Sequence, residues 1–130
     1  MADRAHVLIA ERNQHIREFQ EYFLRQQGMS VEFVDDGEAA LELARRTQPT
    51  LIIAEILIPK IDGLALCRRL RADPATSHIP VIIFSILAAA ARASEAGASA
   101  FLRKPLVEDV FVSVVREVVA QPSAAHMEQV

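Results

Sequence analysis

Five polar residues could carry the chemistry of this chain, because they combine two acids, two bases and a hydroxyl, and all lie at or just after the end of a short apolar run. They are Glu11, Arg12, Glu55, Ser85 and Lys104. Such a set could form a buried ionic cluster, in which every charge needs an opposite partner. It could also support hydrolysis, with Ser85 as nucleophile, Lys104 as base and Glu55 as the acid that orients the base. Either chemistry requires that the runs be neighbouring strands.

Five apolar runs predict the strands that would position these residues. Most of them lack alternation between apolar and polar side chains, as expected for parallel strands that are buried on both faces. The second run alternates, which suits an edge strand. We predict strands at residues 7–10, 31–34, 51–54, 81–84 and 101–103. Their carboxyl ends would meet at one edge of the sheet.

Segments of helical period follow the apolar runs. The first ends near Gly28, and the second begins at a capping Asp36 and ends before Pro49. The third covers about residues 64–71, the fourth 88–96 and the fifth about 107–119. The residues expected to face the core are Ile16, Phe19, Phe23 and Leu24 in the first helix, Ala40, Leu43, Ala44 and Thr47 in the second, and Val110, Phe111, Val114 and Val118 in the fifth. Five βα units predict one three-layer, doubly wound α/β domain.

Composition and length fit one soluble globular domain. The chain has 130 residues, of which 52% are hydrophobic and 24% charged, and its net charge of −3 offers no basic surplus for binding nucleic acid. No apolar run could span a bilayer and the N-terminus lacks the apolar stretch of a signal peptide, so we expect a cytoplasmic location without membrane contact. We assign residues 1–120 to the domain and 121–130 to a flexible tail.

From about His6 to Val119 the chain resembles the CheY-like receiver domains of bacterial two-component response regulators. The most specific segments are Glu55-Ile56-Leu57-Ile58-Pro59-Lys60-Ile61-Asp62-Gly63 and Phe101-Leu102-Arg103-Lys104-Pro105. The resemblance implies a flavodoxin-like (βα)5 fold with strand order 2-1-3-4-5 and a role in phosphorelay signalling without enzymatic activity. It places Glu55 at the phosphoacceptor position and Lys104 at the lysine that pairs with the phosphate. It matches Ser85 and Phe101 to the hydroxyl and aromatic switch residues.

The sequence departs from this family at the phosphorylation site. Receivers carry two acids after the first strand and a phosphoaccepting aspartate, which together hold Mg²⁺, whereas this chain has Glu11, Arg12 and Glu55. A guanidinium has no lone pair for a metal, so we expect neither Mg²⁺ nor another cofactor. The extra methylene of Glu55 displaces its carboxylate by roughly 1.5 Å, which disfavours phosphorylation. Instead we expect Glu55 to reach Lys104 and Arg12 to fill the metal position, which would leave a self-neutralised pocket.

The leading hypothesis is therefore a pseudo-receiver that binds a protein partner or itself through its fourth helix, fifth strand and fifth helix. The switch-like or interface candidates are Phe101, Val112, Val115 and Val119. A second hypothesis makes Glu55 a phosphomimic that keeps the domain constitutively active. A small hydrolase that uses Ser85 and Lys104 is a third, although the sequence has neither a nucleophile elbow nor a glycine-rich phosphate loop.

Simpler interpretations of these residues stay open. The Glu55–Lys104 contact could be a surface ion pair worth less than about 1 kcal/mol. Ser85 could cap the fourth helix, and Phe101 could be an ordinary core aromatic. The valines of the fifth helix could be more deeply buried than one face requires.

Overall fold

Strands and helices alternate along the whole described chain. The structure is a computed structural model that describes residues 4–120, so the predicted tail lies outside the described residues. The elements are β1 (His6–Ala10), α1 (Gln14–Gln26), β2 (Ser30–Val34), α2 (Gly37–Thr47), β3 (Leu51–Ala54), α3 (Gly63–Ala72), β4 (Val81–Ser85), α4 (Ala90–Ala96), β5 (Ala100–Arg103) and α5 (Glu108–Ala120). Each predicted strand and helix is present, within two residues at either end.

The five strands form one parallel sheet with the order β2-β1-β3-β4-β5. Val7 of β1 lies opposite Val31 on one side and Leu51 on the other, so β1 is paired along both edges. The alternating second strand is an edge of the sheet, as its pattern predicted. This topology is the doubly wound, flavodoxin-like fold, and its carboxyl edge is where the candidate residues were expected to meet.

Two apolar clusters cover the two faces of the sheet, because successive side chains of each strand point in opposite directions. Leu8 and Ile52 belong to the cluster under α2, α3 and α4, whereas Ile9, Ile53 and Phe84 belong to the cluster under α1 and α5. The inner strands β1, β3 and β4 are therefore buried on both sides, which explains their lack of alternation. In residues 4–120 no helix is long and apolar enough to cross a membrane.

Side-chain caps fix where two helices begin. The carboxylate of Asp36 accepts the backbone N–H of Ala39 at 2.7 Å and begins α2, as predicted. Asp62 begins α3 in the same way, through the N–H of Ala65 at 2.8 Å. By contrast α4 starts at Ala90 without a side-chain cap. The interpretation of Ser85 as the cap of this helix is therefore wrong.

The predicted core faces of three helices need correction. In α1, Phe19 is exposed and Gln20 takes the inward position one turn before Leu24. In α2, Thr47 is exposed and donates its hydroxyl to the carbonyl of Leu43.

In α5, Val115 is completely buried beside Phe111, because a residue four positions further lies on the same helix face. Val115 is therefore a core residue and not an exposed interface residue. Val110, predicted to face inward, is only partly buried, as are Val112 and Val119, and all three pack at the border of the same cluster. The simpler interpretation, a last helix buried over a wider arc, describes α5 better.

Candidate functional site

Backbone hydrogen bonds that continue the sheet position the three charged residues of the site core. The N–H of Glu55 donates to the carbonyl of Ala10 at 3.1 Å, and that of Glu11 donates to Val34 at 3.3 Å. The N–H of Lys104 donates to the carbonyl of Ser85 at 2.8 Å. Each residue is thus held at the carboxyl edge of its strand, where the sequence placed it.

Lys104 bridges the two acids of the site. Its Nζ atom lies 2.9 Å from Oε1 of Glu11 and 2.9 Å from Oε1 of Glu55. The side chains of Lys104, Glu11 and Glu55 are 8%, 4% and 7% exposed, respectively, so these ion pairs are shielded from water. The ring of Phe84 has its centroid 5.5 Å from the same ammonium and covers it from below. The interpretation as a surface ion pair is therefore wrong.

The second carboxylate oxygen of Glu55 accepts hydrogen bonds from three donors. The backbone N–H groups of Ile56 and Leu57 lie at 2.6 and 3.1 Å, and the hydroxyl of Ser85 also donates to it. Ser85 is completely buried, and its Oγ accepts the N–H of Leu87 at 3.2 Å. Burial by itself would raise the pKa of Glu55, but the hydrogen bonds from Ser85, Lys104 and Leu57 outweigh burial and lower that pKa below its usual value. Glu55 is thus an anion at neutral pH.

The second carboxylate oxygen of Glu11 accepts the backbone N–H of Asn13 at 3.0 Å. Asn13 also caps α1, because its side chain accepts the N–H of Ile16. All four carboxylate oxygens of Glu11 and Glu55 therefore already accept a hydrogen bond or an ion pair. In the described part of the chain no three His, Cys, Asp or Glu residues are grouped so that they could hold a metal ion. A metal ion at Glu11 and Glu55 would compete with these contacts.

Arg12 lies at the site but not where the sequence analysis expected it. Its side chain is exposed, and within residues 4–120 it makes no ion pair with Glu11 or Glu55. Adjacent residues of an extended chain point to opposite sides, so the inward direction of Glu11 turns Arg12 outward. Lys104, and not the guanidinium, takes the position between the carboxylates.

An open cleft of about 390 Å³ lies above the cluster. Its lining consists of Glu11, Arg12, Asn13, Glu55, Leu57, Ile86 and Lys104. Leu57 and Ile86 are both more than half exposed, so the lining combines two exposed apolar side chains with the exposed Arg12. Four of the five residues singled out from the sequence line this cleft, and Ser85 lies directly beneath Glu55.

Two contributors to the site were not assigned a role from the sequence. Asn13 donates its backbone N–H to the second carboxylate oxygen of Glu11. Gly63 has no side chain, so α3 can begin in close contact with the backbone of Glu55. A Cβ atom at Gly63 would lie 2.4 Å from the carbonyl oxygen of Glu55, so a larger residue at position 63 would displace the backbone of Glu55. The Asp62-Gly63 pair was visible as part of the family motif, and its structural role is to cap α3 and support the site.

Phe101 lies in the core, and Ser85 does not make the contact with Lys104 that the hydrolase hypothesis assumed. Phe101 is completely buried in the cluster under α2, α3 and α4. The hydroxyl of Ser85 donates to Glu55 and not to Lys104, whose ammonium is held between two carboxylates. Lys104 is therefore not placed as the base that the hydrolase hypothesis assigned to it.

Comparison with known proteins identifies the family. Residues 7–116 match the model of the response regulator receiver domain. The transcriptional regulatory protein CseB of Streptomyces coelicolor is 36% identical over 121 residues, which cover 91% of this chain and 50% of that protein. The chain thus spans about half the length of the curated relatives of this kind that it matches.

Solved structures agree with this assignment. A putative response regulator from Chloroflexus aurantiacus superposes with a TM-score of 0.87 at 30% identity, covering 92% of this chain and all of that one. The signal receiver domain of a signal transduction histidine kinase from Syntrophus aciditrophicus gives 0.84 at 34% identity, covering 92% of each chain. The chain therefore belongs to the response regulator receiver domain family, whose members work in two-component signalling.

Proposed function

We propose that this chain is a pseudo-receiver, a receiver domain that signals through protein–protein contacts and does not accept a phosphoryl group at Glu55. The observation that carries the proposal is the ammonium of Lys104 held between Glu11 and Glu55. In the family pattern these positions serve the metal and the phosphoryl group. Here they are occupied by contacts within the protein itself.

The lack of free metal ligands supports this proposal. Mg²⁺ requires near-octahedral oxygen coordination with several carboxylates and waters. A metal ion at Glu11 and Glu55 would have to displace either Lys104 or the backbone donors of Asn13, Ile56 and Leu57. The nearby Arg12 adds a fixed positive charge at the mouth of the cleft. We therefore expect no cofactor, and without the metal the family's phosphoryl transfer has no electrophilic assistance.

A second candidate function is favoured by the contacts of Glu55. Its carboxylate accepts a hydrogen bond from Ser85 and forms an ion pair with Lys104. The family resemblance assigns these two residues to contacts with the phosphoryl group. Phe101, at the position of the aromatic switch, is completely buried. Both features suit a phosphomimic, in which the longer acid holds the domain in an active-like conformation without phosphorylation.

The partner would bind at the α4–β5–α5 face, in the cytoplasm, as part of a two-component pathway. Of the interface candidates, Val112 and Val119 are only partly buried, and Val112 borders Gln27 at the end of α1. Val107, which precedes α5, is 48% exposed and lies beside Leu102 of β5. With Val115 in the core, Val107 and the partly buried Val110 offer apolar contact area beside β5 on this face. We expect that this domain binds neither nucleic acid nor a membrane directly.

Intact-mass measurement tests the absence of phosphoryl transfer. The full chain is incubated with acetyl phosphate and MgCl₂, and its mass is compared with that of the double variant Arg12→Asp/Glu55→Asp. The double variant has the acids of the family pattern and should gain a phosphoryl group, whereas the unmodified chain should not. A stable, Mg²⁺-dependent adduct at Glu55 contradicts the pseudo-receiver.

The phosphomimic is tested by the affinity for a partner, once one is captured from the native cytoplasm. The unphosphorylated double variant should bind that partner more weakly than the unmodified chain, because it lacks the longer acid that contacts Ser85 and Lys104. Val107→Ser serves as a control for direct loss of contact area on the proposed face. Equal affinity of the double variant and the unmodified chain contradicts the phosphomimic and leaves the pseudo-receiver standing.

A further inference from the structure

Helix α1 presents two aromatic side chains to solvent. Phe19 is 56% and Tyr22 61% exposed, and the half-buried Phe23 lies between them and the core. The rings of Phe19 and Phe23 are stacked with centroids 6.1 Å apart, and the edge of Tyr22 meets Phe23 at 5.7 Å. The three rings form one continuous aromatic patch, and no other element of residues 4–120 covers Phe19 and Tyr22.

The position of this patch differs from that of the other exposed apolar side chains. Leu57 and Ile86 belong to the cleft, and Val107 precedes α5. The aromatic patch lies on a separate surface, in the middle of a 13-residue helix. Single exposed apolar residues are ordinary, but adjoining aromatic rings on one helix face are typical of an interaction surface.

The charges beside the patch are self-complementary. Glu18 and Arg25 are seven residues apart, which is two helical turns or about 10.5 Å along the axis. If a second α1 packs antiparallel with the two-fold axis close to Tyr22, Glu18 of each copy lies level with Arg25 of the other. Among residues 4–120, Arg25 makes its 2.9 Å contact with Glu21 through Nε, so its two terminal nitrogens remain for the second carboxylate.

We propose that α1 is a self-association surface on which a second copy of this chain packs its own α1 antiparallel, across Phe19 and Tyr22. An isologous contact requires a surface that is complementary to itself, and the order Glu18, Tyr22, Arg25 meets that requirement. Antiparallel packing also opposes the two helix dipoles favourably. The surface is separate from α4–β5–α5, and the inference does not depend on the state of the cleft.

One helix face is a small interface, so the dimer should be weak, with a dissociation constant on the order of 100 µM. Sedimentation velocity of the full chain over a concentration series around this value should show a reversible monomer–dimer equilibrium. The double variant Phe19→Ser/Tyr22→Ser should lower the association constant by about tenfold or more. Both residues are exposed, so circular dichroism and thermal unfolding should show an unchanged fold.

Charge reversal tests the antiparallel arrangement directly. Glu18→Arg alone faces arginine with arginine, and Arg25→Glu alone faces glutamate with glutamate, so each variant by itself should be monomeric. When the two variants are mixed, the first carries arginine at both positions 18 and 25, and the second carries glutamate at both. Both ends of the antiparallel contact then pair an arginine with a glutamate, so the mixture should form a heterodimer. Glu42→Arg is the matched control, because Glu42 is an exposed acid on another helix whose ion pair with Arg46 is 3.9 Å long.

Three results would overturn the proposal. The first is an unmodified chain that stays monomeric throughout the series, including the case in which the α1 variants instead lose affinity for a different protein. The second is a dimer that the aromatic variants leave unchanged, which would place the contact on another face. The third is a mixture of charge variants that remains monomeric, which would exclude antiparallel pairing of Glu18 with Arg25.

Discussion

Glu11 and Glu55 each place one carboxylate oxygen 2.9 Å from the same atom, Nζ of Lys104. The two buried anions thus share one buried cation. The remaining negative charge is stabilised by hydrogen bonds from neutral donors. These donors are the hydroxyl of Ser85 and the backbone N–H groups that follow each glutamate. Fixed dipoles of this kind stabilise a buried carboxylate without a second cation. The cluster is therefore complete within the protein.

Removal of the shared cation should destabilise the fold strongly. In Lys104→Met two buried carboxylates would face each other without a counter-charge, so we expect a loss of about 3–5 kcal/mol in the free energy of unfolding, measured by urea denaturation. Lys60→Met is the matched control, because Lys60 is exposed and its contacts with Asp36 and Glu38 are 3.8 and 4.0 Å long. Adding Glu55→Gln to Lys104→Met should restore part of the loss. Equal effects at Lys60 and Lys104 would contradict the bridging role.

Arg12 should contribute little to stability. Its side chain is exposed and forms no ion pair with the cluster in the described chain, so Arg12→Ala should change the free energy of unfolding by less than about 0.5 kcal/mol. The same urea titration measures it. A loss close to that of Lys104→Met would show that the guanidinium neutralises the cluster, as the sequence alone suggested.

The fold was predictable because its signals are local and repeated. Apolar runs without alternation indicate strands that are buried on both faces, and the predicted runs became β1, β2, β3, β4 and β5. The cap at Asp36 and the end of α1 near Gly28, whose φ is 80°, also depend only on neighbouring residues. The strand ends placed Glu55 and Lys104 at the same edge of the sheet, and the family resemblance suggested their contact.

Other features depend on three-dimensional choices that spacing does not determine. Nothing in the spacing indicates which of two adjacent residues, Glu11 or Arg12, turns inward, and the prediction placed both in the cluster. A stripe of apolar residues on α1 suggested an inward Phe19, but the helix is rotated so that Gln20 faces the core. In α5 the abundance of valine on every face concealed that Val115 is buried. Rotation of a helix about its axis is set by packing against the sheet and not by composition.

The acid dependence of stability should carry the signature of Glu55. Its pKa is lower in the folded protein than in the unfolded chain, so its contribution to stability is complete above the unfolded value of about 4.3 and is lost as pH falls through the folded value. We expect Glu55→Gln to lower the free energy of unfolding at pH 7. The difference between this variant and the unmodified chain should shrink as pH falls from about 5 towards 3. Urea denaturation at several pH values measures it, and a difference that does not change with pH would contradict the lowered pKa.

Gln20 offers a stabilising substitution. Its side chain is completely buried on the inner side of α1. Neither the oxygen nor the nitrogen of its amide has a hydrogen-bond partner among residues 4–120. A buried amide without partners costs about 1–3 kcal/mol, so Gln20→Met, which keeps the length of the side chain, should raise the free energy of unfolding by about 1–2 kcal/mol in urea denaturation. Gln27→Met, at the exposed end of the same helix, is the control and should change it by less than about 0.5 kcal/mol. If Gln20→Met is destabilising instead, the amide is hydrogen-bonded in solution, for example through a buried water, and the polar group contributes to the packing of α1.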